Sequence, residues 1–220
     1  MSLFMILLFI VLTLFGLKAL ARYWRDFQPS KRRVREDLAR MKAELEPWLP
    51  DLVPLDRKEL ELLSVNQIQF TRKKRMGSKA KGIFTSIYHE PMIAWSYKRY
   101  LSPGQNALLY ARTARHEFVF RITPKNTQVA IDGDYVGQLM PDGRLLDSRG
   151  KKQLGRLGNP EKSGLLPIVI RERELGSLVP AQLQDTPNPR ALEFVSKMEP
   201  EEEPLFLSLA ILQMVDREVE

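Results

Sequence analysis

The chain has 220 residues, an apolar content of 44% and a formal net charge of +7, which is enough length for one sizeable core plus additional segments. It contains no cysteine, which excludes disulfide bonds, zinc–thiolate sites, iron–sulfur clusters, lipoprotein acylation and cysteine nucleophiles. The basic balance predicts an anionic partner, either a lipid surface or a nucleic acid.

The first predicted element is an apolar segment that continues without a charged residue from Ser2 to Gly16. Extended to Trp24, it would form a helix about 34 Å long, which is enough to cross a bilayer. The positive residues follow this run and none precedes it. The sequence therefore predicts an uncleaved transmembrane anchor over residues 1–25, with the N-terminus outside and the remainder of the chain cytoplasmic. The alternative is a cleaved signal peptide, since residues 19–21 (Ala-Leu-Ala) resemble a cleavage site.

Residues 26–63 are predicted to form amphipathic linker helices. Ser30 is a suitable N-cap for a helix over Lys31–Leu49, whose apolar residues recur at spacings of three and four: Val34, Leu38, Met41, Leu45 and Trp48. We interpret this helix as a spacer, with packing on the membrane surface or on the domain as alternatives. Asp56 is placed to cap a short helix, Arg57–Leu63.

Residues 64–220 are predicted to form one domain that begins with short alternating segments separated by turns, which is typical of an antiparallel β-meander closed into a barrel or sandwich. Strands are predicted at residues 65–70, 82–88, 92–97, 108–111, 117–122, 127–131, 135–139, 144–147, 152–154, 165–170 and 175–179. Turns are predicted at 124–126, 132–133, 142–143, 149–150 and 158–160. A loop over 180–189 and an amphipathic piece over 190–198 follow.

The last predicted element is a helix over Glu201–Glu218. Acidic residues followed by Pro204 favour a helix start, because the acids meet the positive end of the helix dipole and proline is tolerated in the first turn. Leu205–Val215 is apolar on nearly every face and only about 16 Å long, too short to cross a bilayer. We therefore expect a shell of strands to enclose it. The predicted core-helix residues are Leu205, Phe206, Leu209, Leu212 and Met214.

This order resembles the tubby C-terminal-like group, which includes tubby domains, LURP-one proteins and phospholipid scramblases. The residues that carry the resemblance are 129–139, with the Asp132-Gly133 turn, then 145–151 and the helix segment 205–215. It implies a β-barrel wrapped around a hydrophobic C-terminal helix, and a binding module rather than a catalyst. Scramblase activity does not carry over, because the chain has no cysteine-rich segment for palmitoylation.

A basic segment between the first two predicted strands is the candidate anion-binding site. Its residues are Arg72, Lys73, Lys74, Arg75, Lys79 and Lys81. Each basic residue near an anionic leaflet contributes about 1 kcal/mol, so this cluster predicts docking onto phospholipid headgroups. The alternative is a solvated loop. Nucleic acid is the disfavoured partner, since the aromatic residues nearby alternate along strands as core residues do.

No catalytic residue, metal site or cofactor is predicted. His89 and His116 each stand beside a glutamate, but adjacent residues on a strand point to opposite faces. We expect His116 to be a core or barrel-end histidine. The sequence thus predicts a membrane-anchored, non-enzymatic binding module that contacts anionic lipid or a membrane-associated partner. The alternatives are a structural subunit of a membrane complex and, third, a membrane-surface enzyme.

Overall fold

The computed structural model describes residues 3–27, 29–73, 78–102, 104–160, 164–180 and 189–219, excluding the side chains at 3, 4, 6 and 18–26. The α-helices in these ranges are α1 (Leu3–Phe27), α2 (Lys31–Leu45), α3 (Arg57–Leu62) and α4 (Glu202–Val219), with a 3₁₀ helix at Glu46–Asp51. Side-chain caps start α2 and α3, because Ser30 Oγ accepts the Arg33 N–H and Asp56 Oδ1 accepts the Glu59 N–H.

Within the described residues, twelve strands pair in sequence order to form one antiparallel sheet. They are β1 (Leu63–Lys73), β2 (Lys79–Ser86), β3 (Pro91–Arg99), β4 (Ala107–Arg112), β5 (Glu117–Ile122), β6 (Thr127–Ile131), β7 (Asp134–Leu139), β8 (Arg144–Asp147), β9 (Gln153–Leu157), β10 (Leu166–Ile170), β11 (Arg173–Leu178) and β12 (Leu192–Glu193). The predicted meander and its turns are confirmed. The predicted amphipathic piece 190–198 instead contains β12, which is too short to show an alternating pattern.

The sheet curls until its first and last strands nearly meet, which makes it a nearly closed barrel. Ser64 forms an isolated antiparallel bridge with Arg190, and the Ala191 N–H donates to the Leu63 carbonyl at 2.7 Å. The Ser64 hydroxyl also donates to the Pro189 carbonyl at 2.7 Å. Closure therefore depends on a few hydrogen bonds at the start of β1.

The up-and-down order gives the barrel two distinct ends. We call proximal the end that carries the β1–β2 connection, residues 100–106, 123–126 and 140–143, and distal the end with the turns at 87–90, 113–116, 132–133, 148–151 and 171–172. α2 starts at the proximal end, where Asp37 meets Lys98 and Tyr100. It runs toward the distal end, where Lys42 meets Glu117 at the start of β5.

Helix α4 fills the inside of the barrel. All five predicted core-helix residues are at most 9% exposed. Ser208, a buried polar residue of the same helix, donates its hydroxyl to the Leu205 carbonyl. Gly155 of β9 leaves room for the inward side chain of Ile170 on β10, since a Cβ there would lie 2.6 Å from Ile170 Cδ1. The predicted enclosed helix is thus confirmed.

Both ends of α4 are tied to the barrel by polar contacts. At the distal end, Glu202 accepts the Glu199 N–H at 2.9 Å and a hydrogen bond from Arg173 at 2.7 Å. At the proximal end, Arg72 donates to the carbonyls of Glu218 and Val219 at 3.1 and 2.6 Å. The Arg72 contacts satisfy carbonyls that the C-terminal end of a helix would otherwise leave without partners.

α2 packs on the outer face of the sheet and builds a second apolar cluster there. Met41 and Leu45 are buried against Ile83, Ala94 and Leu108. β3 is consequently buried on both faces, with α4 inside the sheet and α2 outside. The sequence favours a spacer role for this helix, but the structure shows the alternative, packing on the domain.

α1 is a helix of 25 residues. Judged over the described side chains, none of the helices combines the length and hydropathy that a bilayer span requires. The predicted transmembrane span is therefore not supported, although a helix does form there. Its described large apolar side chains between Met5 and Leu17 are 43–74% exposed.

Truncation of Leu209 to alanine tests how far the fold depends on the enclosed helix. The side chain is 1% exposed, so Leu209→Ala should lower the free energy of unfolding by about 2–5 kcal/mol, measured by denaturant titration. Gln213→Ala, on the half-buried side of the same helix, is the matched control and should cost under about 0.5 kcal/mol. Equal effects of the two substitutions would contradict the enclosed helix.

Candidate functional site: a basic groove between α2 and β1–β3

A groove of about 230 Å³ lies on the outer face of the sheet, between α2 and the first three strands. α2 covers the sheet from β2 to β4, so the outer face toward β1 remains open beside it. The groove is strongly charged, with five basic and two acidic side chains in its lining: Arg40, Lys73, Lys79, Lys81, Lys98, Asp37 and Glu44. Its net charge is positive, which makes it the candidate anion-binding site among the described residues.

Strand register places three of these lysines in one row. Lys73 pairs with Lys79 across β1 and β2, and Lys79 pairs with Lys98 across β2 and β3. Neighbouring strands are about 4.8 Å apart, so the three side chains leave the outer face side by side. A second row, two residues further along each strand, contains Thr71, Lys81 and Ser96. Like charges directly opposite each other destabilise a sheet unless a counter-charge offsets them.

Asp37 of α2 supplies that counter-charge for one lysine of the row. It is 3% exposed, and its Oδ2 accepts hydrogen bonds from Lys98 Nζ at 2.7 Å and from the Tyr100 hydroxyl at 3.2 Å. Arg33 Nε lies 3.5 Å from the same oxygen. Burial raises the pKa of Tyr100, and the charge of Asp37 and its hydrogen bond add to this rise, so the hydroxyl remains a neutral donor. This network fixes the start of α2 on β3.

Lys73 and Lys79 are the exposed members of the row. Lys81 lies deeper and places its Nζ 5.0 Å from the centre of the Trp48 ring, a cation–π contact. Trp48 belongs to the 3₁₀ helix after α2. The open, basic part of the groove is thus formed by Lys73 and Lys79 at the proximal end, with Lys81 behind them.

The structure divides the predicted anion-binding residues into three groups. Lys73, Lys79 and Lys81 line the groove together. Arg72 belongs to a different row, with Ala80 and Tyr97 as its neighbours in register. Its guanidinium donates to carbonyls at the C-terminal end of α4. Lys74 and Arg75 lie outside the described residues.

Sequence reasoning missed four residues of this site: Asp37, Arg40, Glu44 and Lys98. The helix residues stand at spacings of three and four, which places them on one face of α2. Ser96 and Lys98 are polar at alternate positions of β3, after an apolar run over residues 91–95. That alternation marks a polar outer face on β3, but the pairing of this face with α2 is a long-range contact that local patterns do not encode.

The two histidines lie in different distal turns. His89 is exposed and has a φ of 66°. His116 lies at the end of the barrel, with its Nδ1 2.7 Å from Asp132 Oδ2. Burial alone would raise the pKa of Asp132, but the hydrogen bonds from His116 and the Glu117 N–H outweigh it, so the pKa is lowered. Within the described residues, no group of three or more histidines and acids is arranged to hold a metal ion.

A second cavity of about 430 Å³ opens at the proximal end, beside the last turns of α4. Leu139, Leu157 and Leu212 form apolar walls, and Asn126 and Gln213 add amide groups. Lysine and arginine are absent from the lining residues described for it. It therefore lacks the positive charge that an anionic ligand requires, and the groove beside α2 is the stronger candidate.

Comparisons with protein-family models, curated proteins and solved structures find no match for this chain.

The buried pair between Asp37 and Lys98 should be essential for keeping α2 on the sheet. Asp37→Asn leaves Lys98 without its counter-charge and should lower the free energy of unfolding by about 3–5 kcal/mol in denaturant titrations. Glu36→Gln is the matched control, because Glu36 pairs with Arg32 at the surface, and it should cost under about 1 kcal/mol. The double variant Asp37→Leu/Lys98→Met should recover most of the loss. If it is no more stable than Asp37→Asn, the pair does not have the assigned role.

Proposed function

We propose that the protein is a membrane-anchored, non-enzymatic binding module whose proximal end docks on anionic phospholipid headgroups. The single observation that carries this proposal is the open lysine pair, Lys73 and Lys79, at the end of the barrel where α2 starts. α1 ends at Phe27, shortly before α2 begins at Lys31. A membrane that holds α1 would therefore lie next to these lysines.

The surface of α1 supports the membrane part of the proposal. Its described large apolar side chains between Met5 and Leu17 are exposed, and exposed apolar surface of this extent favours a lipid or protein environment. We place the N-terminus outside and the barrel in the cytoplasm, because Lys31, Arg32 and Arg33 follow the apolar helix. Docking adds to anchoring, since a tether raises the local concentration of weak contacts.

The resemblance to the tubby C-terminal-like group remains a proposal. The helix enclosed by a nearly closed antiparallel sheet supports it. It implies a binding module, which agrees with the charged groove between α2 and β1–β3.

A structural subunit of a membrane complex is the second candidate function. Phe194 favours it, because this aromatic side chain is 72% exposed and its φ is 56°, a conformation that is strained for a bulky residue. Such a residue is a candidate protein contact. Purification in mild detergent with a stoichiometric second protein, lost on Phe194→Ser, would favour this function over lipid docking.

Membrane anchoring predicts retention in the pellet after alkaline carbonate extraction of the full-length chain. Substitution of Leu7, Val11 and Leu14 by glutamate places three charges along α1 and should release the protein, because a charged side chain at the bilayer centre costs about 2.5–3.5 kcal/mol. Mass spectrometry of the retained protein should find residues 1–21 present. Release of the unaltered chain, or loss of these residues, would contradict the anchor.

Headgroup docking predicts that the proximal end lies against anionic membranes. The cysteine-free chain allows single labels at Gln105→Cys (proximal) or Ser148→Cys (distal), both exposed. In vesicles that contain anionic lipid, energy transfer from the label to acceptor lipids should be higher for position 105. Raising the salt concentration should reduce the difference.

Charge reversal at the groove tests which lysines are responsible. Lys73→Glu/Lys79→Glu should abolish the salt-sensitive part of the energy transfer at position 105. Lys151→Glu/Lys152→Glu changes the net charge equally at the distal end, where both side chains are exposed, and should leave the signal unchanged. Equal losses in the two double variants would show that net charge alone acts and would count against a site in the groove.

A further inference from the structure

The groove carries a carboxylate that its cations do not neutralise. Glu44 is exposed on α2, and among the described residues its Oε2 accepts only a long hydrogen bond, 3.5 Å, from the Ser96 hydroxyl. Hydroxyl–carboxylate hydrogen bonds are normally about 2.5–2.8 Å. Glu44 therefore retains acceptor capacity inside a groove that is otherwise basic.

The two exposed lysines and Glu44 occupy different parts of the groove. Lys73 and Lys79 belong to the first row of side chains, nearer the β1–β2 connection. Glu44 contacts Ser96, which belongs to the second row. Glu44 also lies two helical turns beyond Asp37, whose contact Lys98 belongs to the first row. The exposed lysines thus lie toward the proximal end of the groove, and Glu44 lies behind them, beside the second row that also contains Lys81.

A ligand with anionic groups alone would satisfy only part of this arrangement. It would neutralise Lys73 and Lys79 but would bring its own charge close to Glu44, and like charges in a partly enclosed site repel. A ligand that also carries a primary ammonium would neutralise the lysines with its anionic groups and Glu44 with its ammonium. An ammonium has three donors, and hydrogen bonds between charged groups are the strong ones.

We propose that the groove recognises a dipolar lipid headgroup, one with a phosphate or carboxylate anion and a primary ammonium, as in phosphatidylserine. The anionic groups bind Lys73 and Lys79, and the ammonium donates to Glu44. The volume of about 230 Å³ is below the roughly 300–1,000 Å³ of pockets for drug-sized ligands, which suits a small headgroup. This inference rests on the proposed function and specifies its ligand.

Phosphatidylserine and phosphatidylglycerol provide a matched pair for the test, because both carry one net negative charge and only the first has an ammonium. The full-length chain, labelled at Gln105→Cys, is reconstituted into phosphatidylcholine vesicles that contain one or the other at equal mole fraction. Energy transfer to acceptor lipids gives the ratio of docked to undocked protein. The ratio should be about tenfold higher with phosphatidylserine, the effect of one hydrogen bond between charged groups.

Two substitutions on α2 show whether Glu44 is the origin of the preference. Glu44→Gln should lower docking on phosphatidylserine to the level seen with phosphatidylglycerol. Glu36→Gln removes the same charge from α2 outside the groove lining and should keep the full tenfold preference. Unfolding midpoints of both variants, measured in the same vesicles, exclude loss of the fold as the cause.

The remaining outcomes contradict either the proposed function or the dipolar site. Absence of docking on both lipids overturns the proposed function itself. Equal docking on the two lipids, or a preference that Glu44→Gln does not change, overturns the dipolar site and leaves anionic docking in place. Free glycerophosphoserine, added to the protein in phosphatidylcholine vesicles, distinguishes a soluble ligand from a membrane lipid. If it binds as tightly as the lipid, the groove serves a soluble ligand, and the assignment to a membrane lipid is wrong.

Discussion

A helix that is apolar around its whole circumference imposes the main constraint on this fold. Leu205–Val215 carries apolar side chains on nearly every face, so the hydrophobic effect favours its complete burial. A sheet buries such a helix completely only by curling around it. The twelve-stranded sheet meets that requirement by closing almost completely around α4.

The charged groove depends on the same arrangement. Because α4 occupies the inside of the barrel, the inward side chains of β3 and β4 are apolar, and their outward side chains are available for α2. α2 covers part of that outer face and leaves the β1 side open. Asp37 neutralises Lys98 at the boundary, so Lys73 and Lys79 are left exposed beside a fixed helix. A rigid frame of this kind holds charges in place without losing side-chain freedom on binding.

The position of the groove connects architecture with proposed function. α2 starts at the proximal end, directly after α1, and the β1–β2 connection lies at that end as well. The open lysines Lys73 and Lys79 therefore lie at the same end of the barrel as the start of α2. The distal end carries the polar contacts of His116, Asp132, Arg171 and Glu201, which tie turns and the start of α4 together.

Sequence alone was sufficient for the features that local patterns encode. Period-two alternation located most strands, Asp132-Gly133 and similar pairs located the turns, and the unbroken apolar run at Leu205–Val215 required enclosure. Only the tertiary structure decided which side chains share a site. Arg72 and Lys73 are adjacent in the chain, yet one caps α4 and the other lines the groove, because neighbouring side chains of a strand point to opposite faces. Asp37 and Lys98 meet only because α2 packs on β3, and Glu44 acquires its place in the groove from the same long-range packing.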